Sequence, residues 1–398
     1  MQKSNYKKNS NAYIRNYILS YIFFPIAVWP LIYGKFLSFS QIGIIYGVSS
    51  FIQTILELPS GALADMIGRR NIIIAAKIIR FFSYIIIIYS LNNTNNIFIL
   101  LLIGETFWKI AESFASGSEE ALIYDSLKEN NQENQYEKIE SKAFSYYTVS
   151  QLLAALSGGF LYEIDFRLPF LAVLIPSVLS IVNAFFFEEP ILDTKKYSFK
   201  SYLKQNILGF KHIFRHKIIF LISFYSIISI TLYVLGASLL YQKSLHEIIS
   251  IPKYVGIVSA FLYLSRAISS WIYGKIYHKV NKENFAILLI LIQSISSFML
   301  FIPSTLFIIL GLIIRFISDG LRQPYITKIQ NQYIQSKYRA TAISAIALLI
   351  SLIAVTLSPL VGYGIDIYNA RIMIGITGFL SLFIGLPLAI NLKRLINN

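Results

Sequence analysis

The sequence predicts an all-α membrane protein with twelve transmembrane helices in two pseudo-symmetric six-helix bundles. Three observations carry that prediction. Of 398 residues, 56% are apolar and only 14% charged, too little polar surface to cover a water-facing globule of this size. The apolar residues gather in runs of about 20, the length a helix needs to cross a hydrocarbon core. The basic residues gather between alternate runs, as they do in polytopic chains.

The runs lie at about 13–33, 40–63, 72–91, 97–116, 143–162, 169–187, 218–242, 254–274, 285–302, 306–327, 339–362 and 371–391. Helices are expected in each, because a helix satisfies its own backbone hydrogen bonds in lipid and an open strand does not. The first run has no small-residue cleavage pattern at its end, so a retained span is expected rather than a signal peptide. An even number of spans puts both termini on one side. That side then holds 24 of the 35 Lys and Arg residues, against five (Lys35, Arg167, Lys243, Lys253, Arg371) on the other. The bias places both termini in the cytoplasm. The net charge of +15 is thereby a matter of topology and lipid contact, with no nucleic-acid partner implied. Abundant Ile, Asn and Lys suggest an AT-rich bacterial genome and hence a bacterial cytoplasmic (inner) membrane.

The longest polar segment on the cytoplasmic side, Glu188 to Lys217, divides the chain. Residues 1–187 form the expected N-terminal bundle, 188–217 a linker and 218–398 the C-terminal bundle. Phe199, Tyr202, Leu203, Ile207, Phe210 and Phe214, interleaved with lysines, read as an interfacial amphipathic helix. His212 and His216 stand four apart on it, but no carboxylate accompanies them, so a surface helix is expected and no metal site. The absence of cysteine excludes disulfides and thiol chemistry. No nucleophile–base set or phosphate loop stands out, so neither a cofactor nor an enzymatic activity is expected.

Between the second and third runs the sequence reads Gly61-Ala62-Leu63-Ala64-Asp65-Met66-Ile67-Gly68-Arg69-Arg70. Gly61 and Gly68 permit close packing and a tight turn. Asp65 and the Arg69–Arg70 pair set opposite charges at the membrane edge, where partial dehydration strengthens their attraction. The stretch resembles the signature loop of the major facilitator superfamily, G-x-L-A-D-x-x-G-R-R/K, in the loop that family requires. A weaker copy, Gly274 to Lys282, follows between the eighth and ninth spans with His278 in place of the aspartate, matching a duplicated six-span half. The stretch Ser116 to Leu127 is also similar to a bacterial branch of the family. The resemblance implies a transporter that works by alternating access and a breakable Asp65–Arg69–Asp125 gating cluster. It also implies a central cavity lined by helices one, four, seven and ten.

Ten charged residues fall inside spans: Glu57, Lys77, Arg80, Glu105, Lys109, Glu112, Arg266, Arg315, Asp319 and Arg322. At roughly 2.5–3.5 kcal/mol each, they would cost about 25 kcal/mol facing lipid, so they must face protein or water. Glu105, Lys109 and Glu112 stand at i, i+4 and i+7 on the fourth span. Arg315, Asp319 and Arg322 repeat that spacing on the tenth with every sign inverted. Both triads lie roughly 12–24 Å below the outer surface. Two readings stand: a substrate and coupling-ion pathway, with Glu105, Glu112 and Asp319 protonatable, or a static clamp neutralised by its own i,i+3 and i,i+4 pairs. Glu57 and Arg80 lie at similar depth on adjacent helices and are expected to form a structural ion pair; Arg266 has no partner assignable from sequence. Tyr21, Phe24, Trp29, Tyr225 and Tyr233 are candidate aromatic lining, though packing explains any one of them.

The leading functional expectation is proton-coupled efflux of a drug-like or amphipathic compound. Against it, Ala155-Leu156-Ser157-Gly158-Gly159 lacks the glycine–proline motif of antiporters, and their helix-four arginine is missing, with Lys109 a conceivable substitute. Import of a nutrient or peptide stands as the alternative. A non-transporting membrane sensor or assembly factor is the reading from another class. The expected partners are a small-molecule substrate, protons and membrane lipids, and the expected assembly is a monomer.

Overall fold

The computed structural model describes residues 4–191, 213–235, 239–276, 282–334 and 336–397. Within these, the side chains at 58, 59, 61, 62, 65, 274, 276, 282, 283, 336–341, 344, 396 and 397 lie outside the description. Among the described residues there is no strand. The α-helices run α1 Tyr6–Tyr21, α2 Trp29–Gly34, α3 Phe39–Ile67, α4 Arg69–Asn92, α5 Ile97–Ala115, α6 Ser118–Glu129, α7 Tyr136–Ile164 and α8 Leu168–Ala184. They continue α9 Lys217–Leu235, α10 Tyr241–Ile248, α11 Pro252–Ile276, α12 Lys282–Phe301, α13 Thr305–Tyr333, α14 Ser336–Ile367, α15 Ala370–Leu380 and α16 Leu386–Asn397.

Among the described residues, seven helical segments are long and apolar enough to cross a membrane, in α3, α4, α9, α11, α12, α14 and the α15–α16 run; Leu168–Ala184 is a shorter apolar helix. Phe82, Ile175, Phe261, Trp271, Leu360 and Phe383 are exposed on these helices. In water such surface would drive aggregation, and acyl chains are its natural solvent. The first span is not one helix. Pro25 and Pro30 each lack an N–H to continue the ladder, so α1 stops at Tyr21, a 3₁₀ turn covers Phe24–Ala27, and α2 restarts at Trp29. The run expected at 218–242 likewise divides into α9 and α10. The linker's expected amphipathic helix and His212 lie outside the described residues, as does most of the second motif copy, including His278.

The chain forms two compact units, residues 1–36, 48–202 and 252–260 in the first and 37–47, 203–251 and 261–398 in the second. The first is organised on α1, whose Ala12 and Tyr13 pack on Ile73, Leu122, Ile123, Leu127, Ala143, Ala184 and Phe187. The buried Asn9 amide is paired there: its Nδ2 donates to Ser126 Oγ and to the Glu188 carbonyl, both at 2.9 Å. Helices α4 and α5 approach closely at Gly104, where a Cβ would stand 2.7 Å from Ile87 Cγ1. In the second unit Tyr225, Tyr273, Phe285, Leu289, Ile290 and Tyr325 form the main core with Ala389 and Leu392 of α16.

Two carboxylates cap helix starts. Glu189 accepts from the amides of Arg69 (2.8 Å) and Arg70 (2.7 Å), next to Gly68 at φ +95°. Asp366 accepts from the amides of Phe39 (2.8 Å) and Ser40 (2.7 Å) and from the Ser40 hydroxyl. Each puts an anion where helix N–H groups have no partner of their own.

Candidate functional site: charged clusters within two helical units

In the first unit α5 presents Glu105, Lys109 and Glu112, as their spacing dictates. Lys109 Nζ lies 2.7 Å from Glu112 Oε2 and 5.1 Å from the centre of the Trp108 ring. Glu105 is buried and accepts a 2.5 Å hydrogen bond from the Tyr33 hydroxyl. Tyr33 belongs to an aromatic cluster: it stacks on Phe170 at 5.9 Å, and Phe23 packs on Trp108 at 5.3 Å and on Phe170 at 6.1 Å.

A second charged layer in the same unit joins α1, α4 and α6. Lys77 Nζ lies 2.7 Å from Glu119 Oε1, with the two side chains 2% and 9% exposed. Lys77 also donates to Ser20 Oγ at 2.9 Å, and Asn16 Nδ2 donates to the other Glu119 oxygen at 2.6 Å. Beside the pair, Ser20, Lys77, Arg80, Tyr84, Ser177 and Ser180 line a cavity of about 10 Å³, room for one water. Beyond the end of the span, Tyr17 donates to Glu120 at 3.4 Å. Tyr13 and Tyr17 hydroxyls lie 3.2 Å apart, and Tyr13 donates to Glu140 at 2.5 Å. Burial, and then the neighbouring charge of Glu119, push the Glu120 carboxyl up to about 7.

In the second unit one carboxylate serves two guanidinium groups. Asp319 Oδ2 lies 2.7 Å from Arg266 Nε, and Asp319 Oδ1 accepts from Arg322 Nη2. Arg266 therefore has the partner that sequence did not supply. The Tyr233 ring covers the Arg322 guanidinium at 4.9 Å. Arg315 is held differently. It is 1% exposed, donates to the carbonyls of Gln293 (3.2 Å) and Leu232 (3.1 Å), and faces the Tyr241 ring at 5.3 Å. The triads thus match in their pairing: Lys109–Glu112 and Asp319–Arg322 are both i,i+3 contacts at equivalent positions with signs reversed.

At the loop, Arg69 pairs with Asp125, with side chains 15% and 16% exposed. The side chain of Asp65, and position 61 likewise, lie outside the described residues. Arg70 donates from Nη2 to the Phe185 carbonyl at 3.2 Å. The expected Glu57–Arg80 ion pair is corrected. Glu57 accepts from Gln53 Nε2 at 3.3 Å, Arg80 donates to the Ser20 carbonyl at 3.4 Å, and no ion pair joins them among the described residues. Equal depth puts two residues at one level of a bundle but does not turn their helix faces toward each other. Of the expected aromatics, Tyr225 belongs to the second unit's core, Tyr233 covers Arg322, and Tyr21 packs edge-on against Tyr147 at 4.5 Å.

Sequence reasoning missed Glu119, Glu189 and Asp366. A Lys inside an apolar run signals that some carboxylate must meet it, but nothing along the chain says which one.

A family model described as Major Facilitator Superfamily matches residues 11–354. An "Uncharacterized MFS-type transporter YxaM" of Bacillus subtilis (strain 168) is 26% identical over 154 residues, 39% of this chain and 36% of that protein. The match therefore spans about a third of that relative's length. Among solved structures, the nucleoside transporter NupG superposes with a TM-score of 0.76 at 10% identity, covering 99% of this chain and 99% of that one. A D-xylose–proton symporter gives 0.68 at 13% identity, covering 96% and 97%. At these identities the likeness is one of fold.

Proposed function

Because the chain belongs to the major facilitator superfamily and is a transporter rather than an enzyme, we propose that it moves a small amphipathic solute across the bacterial cytoplasmic membrane by alternating access, outward and against proton entry. One observation supports this reading: ion pairs on α5 and α13, in the expected fourth and tenth spans, at matched spacing with signs reversed, Lys109–Glu112 and Asp319–Arg322. Charges there are costly to bury, and a chain needing only rigidity is served as well by apolar packing.

Glu105 is the proposed proton site. Its carboxyl is buried and bonded to the Tyr33 hydroxyl, whose ring stacks on Phe170, and gaining a proton removes the cost of a buried ion. The same rings suit the apolar part of an amphipathic solute. Arg69 and Asp125 are the proposed gate contact with Asp65, and Arg315 the proposed brace.

The test uses inverted membrane vesicles carrying an interior pH dye and an imposed proton gradient. Adding an exported compound should dissipate the gradient in the parent and not in Glu105→Gln, with both proteins at equal abundance. A Glu105→Gln protein that dissipates the gradient as the parent does overturns the proton assignment. Gradient-independent movement of the solute in the parent overturns the coupling.

A further inference from the structure

The interior charge of the second unit does not balance. Among the described residues in the expected spans of α11 and α13, the buried Arg315 and Arg322 and the partly exposed Arg266 stand with one carboxylate, Asp319. Arg315 is accounted for: two backbone carbonyls and the Tyr241 ring surround it, as suits a guanidinium fixed for good. The remaining group, Arg266, Asp319 and Arg322, carries a net charge of +1.

Its hydrogen bonding is incomplete in the same place. Arg322 is only 4% exposed, yet its Nε and Nη1 have no hydrogen-bond partner among the described residues. A guanidinium has five N–H donors, and those two nitrogens hold three of them. Leaving them bare inside a bilayer-spanning bundle is expensive, and the cost is recovered when acceptor oxygens arrive. Tyr233 already covers the ring-facing side of the group at 4.9 Å, so a ligand approaches in the guanidinium plane. Arg266, with 28% of its side chain exposed, is the accessible member. Planar oxygen acceptors with one negative charge meet both requirements: they occupy the bare donors and bring the cluster to neutrality.

We propose that Arg266, Asp319 and Arg322 form the subsite for a carboxylate group on the transported solute, which makes that solute an amphipathic organic monoanion. The assignment rests on the transporter reading above and narrows it. Asp319 acts as the charge setter, holding the subsite at +1 so that monoanions fit and dianions are over-charged.

The experiment is a thermal-stability screen of the full chain in nanodiscs. The probes are aromatic, aliphatic and dipeptide-like monocarboxylates at millimolar concentration, each paired with its neutral amide, together with phenyl phosphate and benzyltrimethylammonium. At least one carboxylate should raise the melting temperature while its amide does not. Arg322→Gln should weaken that response about tenfold or more in concentration. Asp319→Asn should shift preference from carboxylate toward phenyl phosphate, a gain that a misfolded variant does not give. Equal responses to acid and amide, a response only to the cation, a parent preference for phenyl phosphate, or no response to any carboxylate overturns the proposal. The two readings fail separately: a chain that transports a neutral or cationic solute loses the subsite and keeps the transporter. A chain that binds carboxylates without moving them does the reverse.

Discussion

Replacing Lys77 with Met puts the buried charge layer of the first unit under direct strain. Lys77 and Glu119 meet at 2.7 Å with side chains 2% and 9% exposed, and Asn16 and Ser20 complete the set. Met fills nearly the same volume, so packing is largely kept while Glu119 loses its counter-charge. A buried carboxylate stripped of its partner costs about 3–5 kcal/mol, whereas removing both charges together is often close to neutral. At about 1–2 °C per kcal/mol for a chain of this length, Lys77→Met should melt roughly 3–10 °C below the parent. The Lys77→Met, Glu119→Gln double variant should recover most of that. The three tryptophans, Trp29, Trp108 and Trp271, allow the transition to be followed by intrinsic fluorescence in detergent. A single variant within about 1 °C of the parent, or a double variant as unstable as the single, would refute the argument that charge pairing holds this layer together.

Other outcomes follow from the same contacts. Asp125→Asn, which removes the negative charge of the ion pair with Arg69, should reduce transport about tenfold or more with a melting temperature near the parent's; full transport activity would remove the gate role. Glu120 has its pKa raised to about 7 from 4.5, so the folded chain binds the extra proton. Stability should therefore fall as pH rises from about 4.5 through 7, by about 1–3 kcal/mol from this group, and Glu120→Gln should flatten that slope in pH-resolved melting curves. Glu189→Ala and Asp366→Ala each remove a carboxylate from a helix start and should each cost about 1–2 kcal/mol, seen as separate drops in melting temperature.

The parts of this molecule that repeat along the chain were readable from it. Apolar runs marked where helices form, and the i, i+4, i+7 spacing put each triad on one helix face, because helical periodicity is a local property. The breaks at Pro25 and Pro30 were written in the sequence too, but a hydropathy window averages over them. Partner choice was not readable. Lys77 finds Glu119, 42 residues on, and Arg266 finds Asp319, because helix rotation turns those faces together. Depth alone gave Glu57–Arg80, a pair the packing does not make. The difference between Arg315 and Arg322 was equally hidden: both are arginines on one face of α13, but only Arg315 meets carbonyls of α9 and α12.

Solute counterflow in proteoliposomes tests the account at its centre. With purified chain in liposomes preloaded with an unlabelled monocarboxylate identified by stability screening, external labelled compound should accumulate transiently above its equilibrium level. That accumulation should disappear in Arg322→Gln. Labelled compound that only equilibrates, at the same rate as in protein-free liposomes, would contradict the claim that this chain carries a solute across the membrane.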